Sequence, residues 1–264
     1  MTPAPPGVPP APGALVAAPA RGRTFSASRR VQPEEAAPDG RLRLDAAARY
    51  LANVAMADVE DAGLDEPLVW LARRTEIRVL APLRHGEAVG LTTFCAGTGP
   101  CWAERRTSLR GEGGGSLEAV ALWVCFDLER GRPAPLSEAF HRHYGEAAGG
   151  RRVKARLAHP DPPPGATRRW FPLRATDYDA YGHVNNAVAF AIVEDELRSR
   201  GGGAVPGRVE VEVEYRDPIG PGEAVEVVTA GDLADCGGRE GLGLWVVAGG
   251  AVRISGRIRA AGGA

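Results

Sequence analysis

Polar and apolar positions alternate strictly from Val209 to Tyr215: Val209, Val211, Val213 and Tyr215 fall on one side, Glu210, Glu212 and Glu214 on the other. That period of two predicts a strand with one buried and one hydrated face. Thr75 to Leu80 alternates in the same way. Apolar, β-branched runs at Trp102–Leu109, Leu117–Asp127, Leu242–Ala248 and Ala251–Ile258 predict further strands. The period changes twice. Leu44 to Ala62 and Asn186 to Ser199 are Ala-rich with apolar residues at helical spacing, and each predicts a helix.

These elements come in two matching sets. Ala81 to Thr93 reads APLRHGEAVGLTT and Asp217 to Thr229 reads DPIGPGEAVEVVT. Pro82 matches Pro218, and Gly86-Glu87-Ala88-Val89 matches Gly222-Glu223-Ala224-Val225. A repeat separated by half the chain is too long for a solenoid and fits two copies of one domain. Each copy reads strand, long helix, then several antiparallel strands, an α+β layer in which a curved sheet covers one helix. The expected division is a Pro-rich disordered tail over 1–22, a first domain over 23–144, a Gly-, Pro- and Arg-rich linker over 145–167, and a second domain over 168–264.

Composition narrows the function without naming it. A net charge of −1 over 264 residues gives no whole-molecule field for nucleic acid. No run approaches the roughly 18 apolar residues of a membrane helix, and the start of the chain lacks the basic region of a signal peptide, so a cytoplasmic protein is expected. Cys95, Cys101, Cys125 and Cys236 have no metal-ligand spacing and read as buried small hydrophobes. His141 and His143 lack an evident third ligand, and with His85 and His159 they read as surface or loop residues. No metal or cofactor is called for.

One string carries chemistry. Thr176 to Asn186 reads TDYDAYGHVNN and runs directly into the second helix. Helix first turns leave N–H groups without partners and carry partial positive charge, which polarises a carbonyl placed there. A carboxylate just before that terminus acts as general base on water or as nucleophile. A histidine beside it orients the carboxylate or the carbonyl, or serves as a second acid/base. Equally, Asp before a helix is an ordinary cap, as is Asn. The first half offers only Pro38-Asp39-Gly40-Arg41-Leu42-Arg43 at the corresponding place, without His or Asn. One half is therefore expected to be catalytic and the other to supply a pocket wall.

TDYDAYGHVNN is similar to the signature of hot-dog thioesterases of the 4-hydroxybenzoyl-CoA thioesterase type, and the tandem arrangement resembles the acyl-ACP thioesterases. The resemblance runs from about Thr24 to Ile258 and includes Leu68–Arg74, Trp102–Arg106, Leu122-Trp123-Val124 and Val213–Arg216. It implies a double hot-dog fold and hydrolysis of acyl-ACP to free fatty acid and ACP, with no cofactor or metal. It also implies Asp179 as the catalytic carboxylate and His183 as the histidine. Asn185 would position substrate, and the backbone N–H groups of Gly182, His183 and Val184 would hold the carbonyl oxygen. Tyr181 stands where the family has Asn, and Pro218 at or beside the place of a family acid, leaving Asp217 or Glu214 as stand-ins.

The acyl tail is expected between the two helices, against Leu51, Val54, Met56 and Val59. From 145 to 176 seven basic side chains (Arg151, Arg152, Lys154, Arg156, Arg168, Arg169 and Arg174) face two acidic ones. They read as a solvated linker or as a docking surface for an acidic carrier protein or CoA phosphates. The string touches only the thioester, so acyl-CoA and polyketide-carrier hydrolysis stay open, as does a non-catalytic acyl-binding protein. Two fused copies supply the pairing that single-domain members obtain by dimerising, so monomer and homodimer both remain open.

Overall fold

The computed structural model describes residues 15–64, 68–233 and 241–260. Residues 1–14 of the Pro-rich tail and Cys236 lie outside the described residues. The first half contains β1 (Thr24–Arg30), β2 (Val69–Ala81), β3 (Ala88–Thr98), β4 (Trp102–Gly111), β5 (Ser116–Asp127) and the short β6 (Arg132–Pro133). The second contains β7 (Thr167–Phe171), β8 (Val209–Tyr215), β9 (Val225–Ala230), β10 (Leu242–Ala248) and β11 (Ala251–Ala260). Among the described residues they form one sheet in the order β1-β3-β4-β5-β2-β8-β11-β10-β9-β7, with β6 on β5. Read inward from either end the order is equivalent, β1 matching β7 and β2 matching β8. The halves meet where β2 pairs antiparallel with β8, from Arg74↔Glu214 to Val79↔Val209.

Each half lays a long helix on one face of this sheet, α1 (Leu44–Asp61) and α3 (Asn186–Arg200), and the two helices pack together. A single apolar core joins them, with Leu51, Val54, Phe190 and Leu197 of the helices against Ile77, Val211, Val213 and Leu244 of the strands. This is the α+β double hot-dog arrangement expected. The alternation in β8 works as read: Val209, Val211, Val213 and Tyr215 face the core. Helix α3 is buried on nearly every side, including Glu194 and Glu196, because a helix wrapped by sheet and partner helix has almost no hydrated face.

A third helix, α2 (Glu138–Ala148), crosses the start of the stretch read as linker. Ser137 Oγ caps it by accepting the Phe140 N–H at 2.9 Å, and Gly149 ends it in the left-handed region at φ 56°. Its Phe140 and Tyr144 build a second apolar cluster with Leu64, Cys95, Ala103 and Cys125.

The chain after α2 has little regular structure but is held along the sheet. Trp102 Nε1 donates to Val153 O at 2.9 Å, and Trp245 Nε1 donates to Pro160 O at 2.8 Å. His159, expected at the surface or in a loop, lies in this irregular stretch but is buried. The described end of the tail is held too, since Arg106 donates to Val16 O, and just after it Arg23 pairs with Asp58 at 2.6 Å.

Candidate active site

The string before α3 folds into a closed loop whose bonds explain most of its residues. Ala175–Asp177 is a 3-10 turn, and the buried Asp177 carboxylate caps it by accepting the Arg174 N–H at 2.8 Å while pairing with the Arg174 guanidinium. Asp179 and His183 close the loop: Asp179 N–H donates to His183 O at 2.8 Å, and Gly182 N–H donates to Asp179 O at 3.0 Å. Gly182 adopts φ 76°, which a side chain would resist. Asp179 Oδ1 accepts from Tyr181 N–H at 2.9 Å and His183 N–H at 3.3 Å. Its Oδ2 has no partner among the described residues. One oxygen therefore fixes the carboxylate and the other is left open. The His183 ring is exposed.

The amides assigned to the carbonyl oxygen need correcting. Gly182 N–H and His183 N–H are engaged within the loop, and Val184 N–H donates to Ile219 O at 2.9 Å. Asn185 is the helix cap: its Oδ1 accepts the Ala187 N–H at 2.9 Å, and its own N–H donates to Asp177 O at 2.8 Å. The N–H of Asn186, the first residue of α3, has no acceptor among the described residues. Its carbonyl oxygen accepts from the Tyr215 hydroxyl at 3.0 Å. Burial pushes the Tyr215 phenol well above its ordinary range, so it remains a donor. Neither role was read from the sequence, although Asn186 is where helix-start logic leaves a free amide.

The two candidate supporting acids separate. Glu214 lies on the opposite face of β8 from Tyr215 and is fully buried, accepting from Ala158 N–H at 2.7 Å and His159 N–H at 3.0 Å. It cannot reach the loop, because alternation along a strand sends neighbours to opposite faces. With His159 and Glu212 it forms a grouping of metal-like spacing, but its donors already bond one another or their neighbours: His159 Nδ1 meets Ser255 Oγ at 3.2 Å, and Nε2 meets Glu212 at 2.8 Å. Asp217 is exposed, on the segment whose Ile219 O receives the Val184 N–H.

A cavity of about 660 Å³ reaches this loop. Its walls are Ala52, Ala55, Met56 and Val59 of α1, Val69 and Trp70 of β2, Trp123 of β5 and Phe140 of α2, with Tyr181 and Asn186 from the second half. That volume lies within the roughly 300–1,000 Å³ of small-molecule sites. Met56 and Val59 line it as expected, whereas Leu51 and Val54 are buried in the core instead. Met56 and Tyr181 are also strongly exposed, which places them where the cavity meets solvent. Cys95 also lines it, and burial pushes its thiol up, leaving it unreactive.

In the first half the same loop survives without the groups. Ala37 N–H donates to Arg41 O at 2.8 Å, Gly40 N–H to Ala37 O at 2.8 Å, and Arg43 N–H to Glu35 O at 3.0 Å, repeating the Asp179, Gly182 and Asn185 bonds. Ala37 thus occupies the place of Asp179 and Arg41 that of His183, while Asp39 matches Tyr181. The basic stretch is mostly tied down: Arg151 pairs with Glu104, Arg168 with Glu226, and Arg169 with Glu196. Arg152, Lys154 and Arg156 are exposed without ion pairs among the described residues.

Known proteins match along this whole layout. The acyl-ACP thioesterase N-terminal domain matches residues 22–144 and the acyl-ACP thioesterase C-terminal domain residues 163–250. The uncharacterized protein Rv2001 of Mycobacterium tuberculosis is 30% identical over 215 residues, covering 81% of this chain and 85% of that protein. The 12:0-ACP thioesterase of Umbellularia californica superimposes with a TM-score of 0.72 at 17% identity, over 90% of this chain and 97% of that one. An acyl-ACP thioesterase of Bacteroides thetaiotaomicron gives a TM-score of 0.68 at 15% identity, over 89% and 96%. The structural likenesses show the double hot-dog fold; the two consecutive domain matches show that the chain belongs to the acyl-ACP thioesterase family.

Proposed function

We propose that the protein hydrolyses fatty acyl-ACP to free fatty acid and ACP at the N-terminus of α3. The observation that carries this reading is the unpartnered Asp179 Oδ2 on the loop that leads into the free Asn186 N–H, at the end of an apolar cavity. The acyl chain lies in the cavity of the first half, and the thioester carbonyl oxygen accepts from Asn186 N–H. The helix dipole and that donor stabilise the oxyanion, a donor of this kind being worth about 3–4 kcal/mol.

Asp179 Oδ2 either takes a proton from the attacking water or attacks the carbonyl carbon itself, forming an acyl–Asp179 anhydride that a water then hydrolyses to the free acid and the regenerated carboxylate. In both routes the C–S bond breaks and the thiolate leaves, taking up a proton. Single turnover in ¹⁸O-water tests the nucleophilic route, because label enters the Asp179 carboxylate only when water attacks the Asp179 carbon of that anhydride, while trapping of the acyl-enzyme covers attack at the acyl carbon. His183 orients the substrate from the exposed side of the loop, and no cofactor or metal is required.

The substrate carrier is the finer part of the proposal. Exposed Arg152, Lys154 and Arg156 offer unpaired positive charge to an acidic carrier protein. No helix among the described residues is long and apolar enough to cross a membrane, in keeping with a cytoplasmic enzyme of fatty acid synthesis that meets a soluble carrier. Thiol release from matched C8–C18 acyl-ACP and acyl-CoA series, with Asp179→Ala in parallel, tests the reading. Turnover on acyl-ACP that the substitution abolishes supports it. Turnover confined to acyl-CoA or polyketide carriers replaces the carrier. Saturable acyl binding without hydrolysis overturns the reaction.

A further inference from the structure

We propose that Ala52 keeps the reacting end of the cavity open and determines what fits there, because its counterpart in the other half closes the matching place with a carboxylate. This rests on the reading of the α3 N-terminus as the reacting centre. The two loops share their hydrogen bonds, so α1 begins at Leu44 as α3 begins at Asn186. Ala52 then stands as far into α1 as Glu194 stands into α3.

The first half shows what a longer side chain does at that position. Glu194 reaches across from α3 to the start of α1, where its Oε2 accepts the Leu44 N–H at 3.0 Å. Its Oε1 accepts from Arg41 Nη2 at 2.5 Å, and both side chains are less than a tenth exposed. A carboxylate thus sits on the first-turn amide, and the space left beside Arg41 and Leu44 is only about 20 Å³. At the other end of the two-fold, Ala52 and Asn186 line one cavity of about 660 Å³, and Asn186 N–H has no acceptor among the described residues. The methyl group of Ala52, in place of a carboxylate arm, is what separates the open place from the filled one. A place that holds a carboxylate in one half suits an oxyanion, or the carboxylate of the released acid, in the other.

The test places the mirror side chain in the catalytic half. Ala52→Glu is crystallised and assayed for thiol release, with Ala52→Gln, uncharged and of equal length, given the same two readouts. The expected result for Ala52→Glu is an introduced carboxylate within hydrogen-bond distance of Asn186 N. Turnover should fall about a hundredfold or more, as for loss of an oxyanion donor, with melting temperature unchanged. An introduced side chain directed to solvent in both variants, with turnover near the parent level, overturns the proposal. If Ala52→Glu does not fold, Ala52→Gln decides by the same criteria. If the parent protein hydrolyses no thioester, the functional reading fails, while the position of the new side chain in the crystal still decides this one.

Discussion

The Tyr215 hydroxyl donates to the carbonyl oxygen of Asn186 at 3.0 Å, tying the end of the strand that joins the two halves to the first residue of α3. Asn186 lines the cavity, so the bond orients the α3 terminus at the cavity wall. Tyr215→Phe keeps the ring in the core and removes only the donor. The expected cost in stability is about 1 kcal/mol, the usual worth of such a bond. Turnover should fall about tenfold or more through kcat, because a misplaced donor weakens the transition state rather than binding. Denaturant melts and steady-state kinetics on the same preparation check both parts.

Asp179 holds its loop together and, in the proposed mechanism, carries the reaction, and substitutions separate the two. Asp179→Asn keeps an acceptor for the Tyr181 and His183 amides and loses the charge. Asp179→Ala loses both. Each is expected to lower turnover by about a thousandfold or more, since the general base or nucleophile is gone. The Ala variant alone should also lose stability, on the order of 1 kcal/mol as for other lost caps. Thermal melts of the pair, set beside thiol release, show whether the loop and the chemistry come apart in this way.

The Arg41–Glu194 pair belongs to stability rather than to the reaction. Its oxygens satisfy Arg41 and the Leu44 amide in a buried place. Glu194→Ala leaves that buried guanidinium only the half-exposed Asp39 carboxylate, at 3.3 Å, and the Leu42 carbonyl, at an expected cost of about 3 kcal/mol, the low end for a broken buried pair. A double replacement, Arg41→Met with Glu194→Met, should recover much of the loss. Urea unfolding of the single and double variants gives the comparison.

The strap between the halves should respond to acid. The Glu212 carboxyl is held below its ordinary value, first by its hydrogen bond with His159 and against the opposing effect of burial. A carboxyl lowered in the folded state adds stability above its unfolded value, about pH 4.3, and loses it as pH falls through the folded value. Unfolding free energy of the parent protein should therefore exceed that of Glu212→Gln most above that pH. The gap should close on acidification below it. A gap constant from about pH 6 to 3 would remove Glu212 from the acid response.

Much of this arrangement was legible because its signals are local or periodic. The alternation of β8 and the capped start of α3 are written in consecutive residues, and the repeated GEAV segments disclose the two-fold. Helix α2 was hidden because Gly145 and the following Gly-rich residues resemble a linker, although Ser137 and Gly149 mark its ends. The site was harder. Which amides are engaged depends on Ile219, brought beside Val184 by the fold, and no spacing reveals that bond. Glu214 was a plausible acid by position, but parity along β8 sends it to the other face, where the strap buries it. The same strap buries His159, which nothing local distinguishes from a solvated loop histidine.

Chain-length selection should be set where first-half aromatic side chains line the cavity. Trp70 packs on Phe140 with ring centroids 5.4 Å apart, and both line it. Val59 faces the same space from α1 and packs against the second apolar cluster rather than the main core, so a larger side chain there takes up cavity volume. Val59→Trp should move preference toward shorter acyl chains, with kcat on the shortest substrates near the parent value. Phe140→Ala should move it toward longer ones, at a stability cost of about 3–5 kcal/mol, because Phe140 also anchors α2. The contrast between the two matters more than either alone. Opposite shifts in preference with Asp179 untouched would locate the acyl chain in this cavity, whereas uniform loss across the C8–C18 series would move it elsewhere.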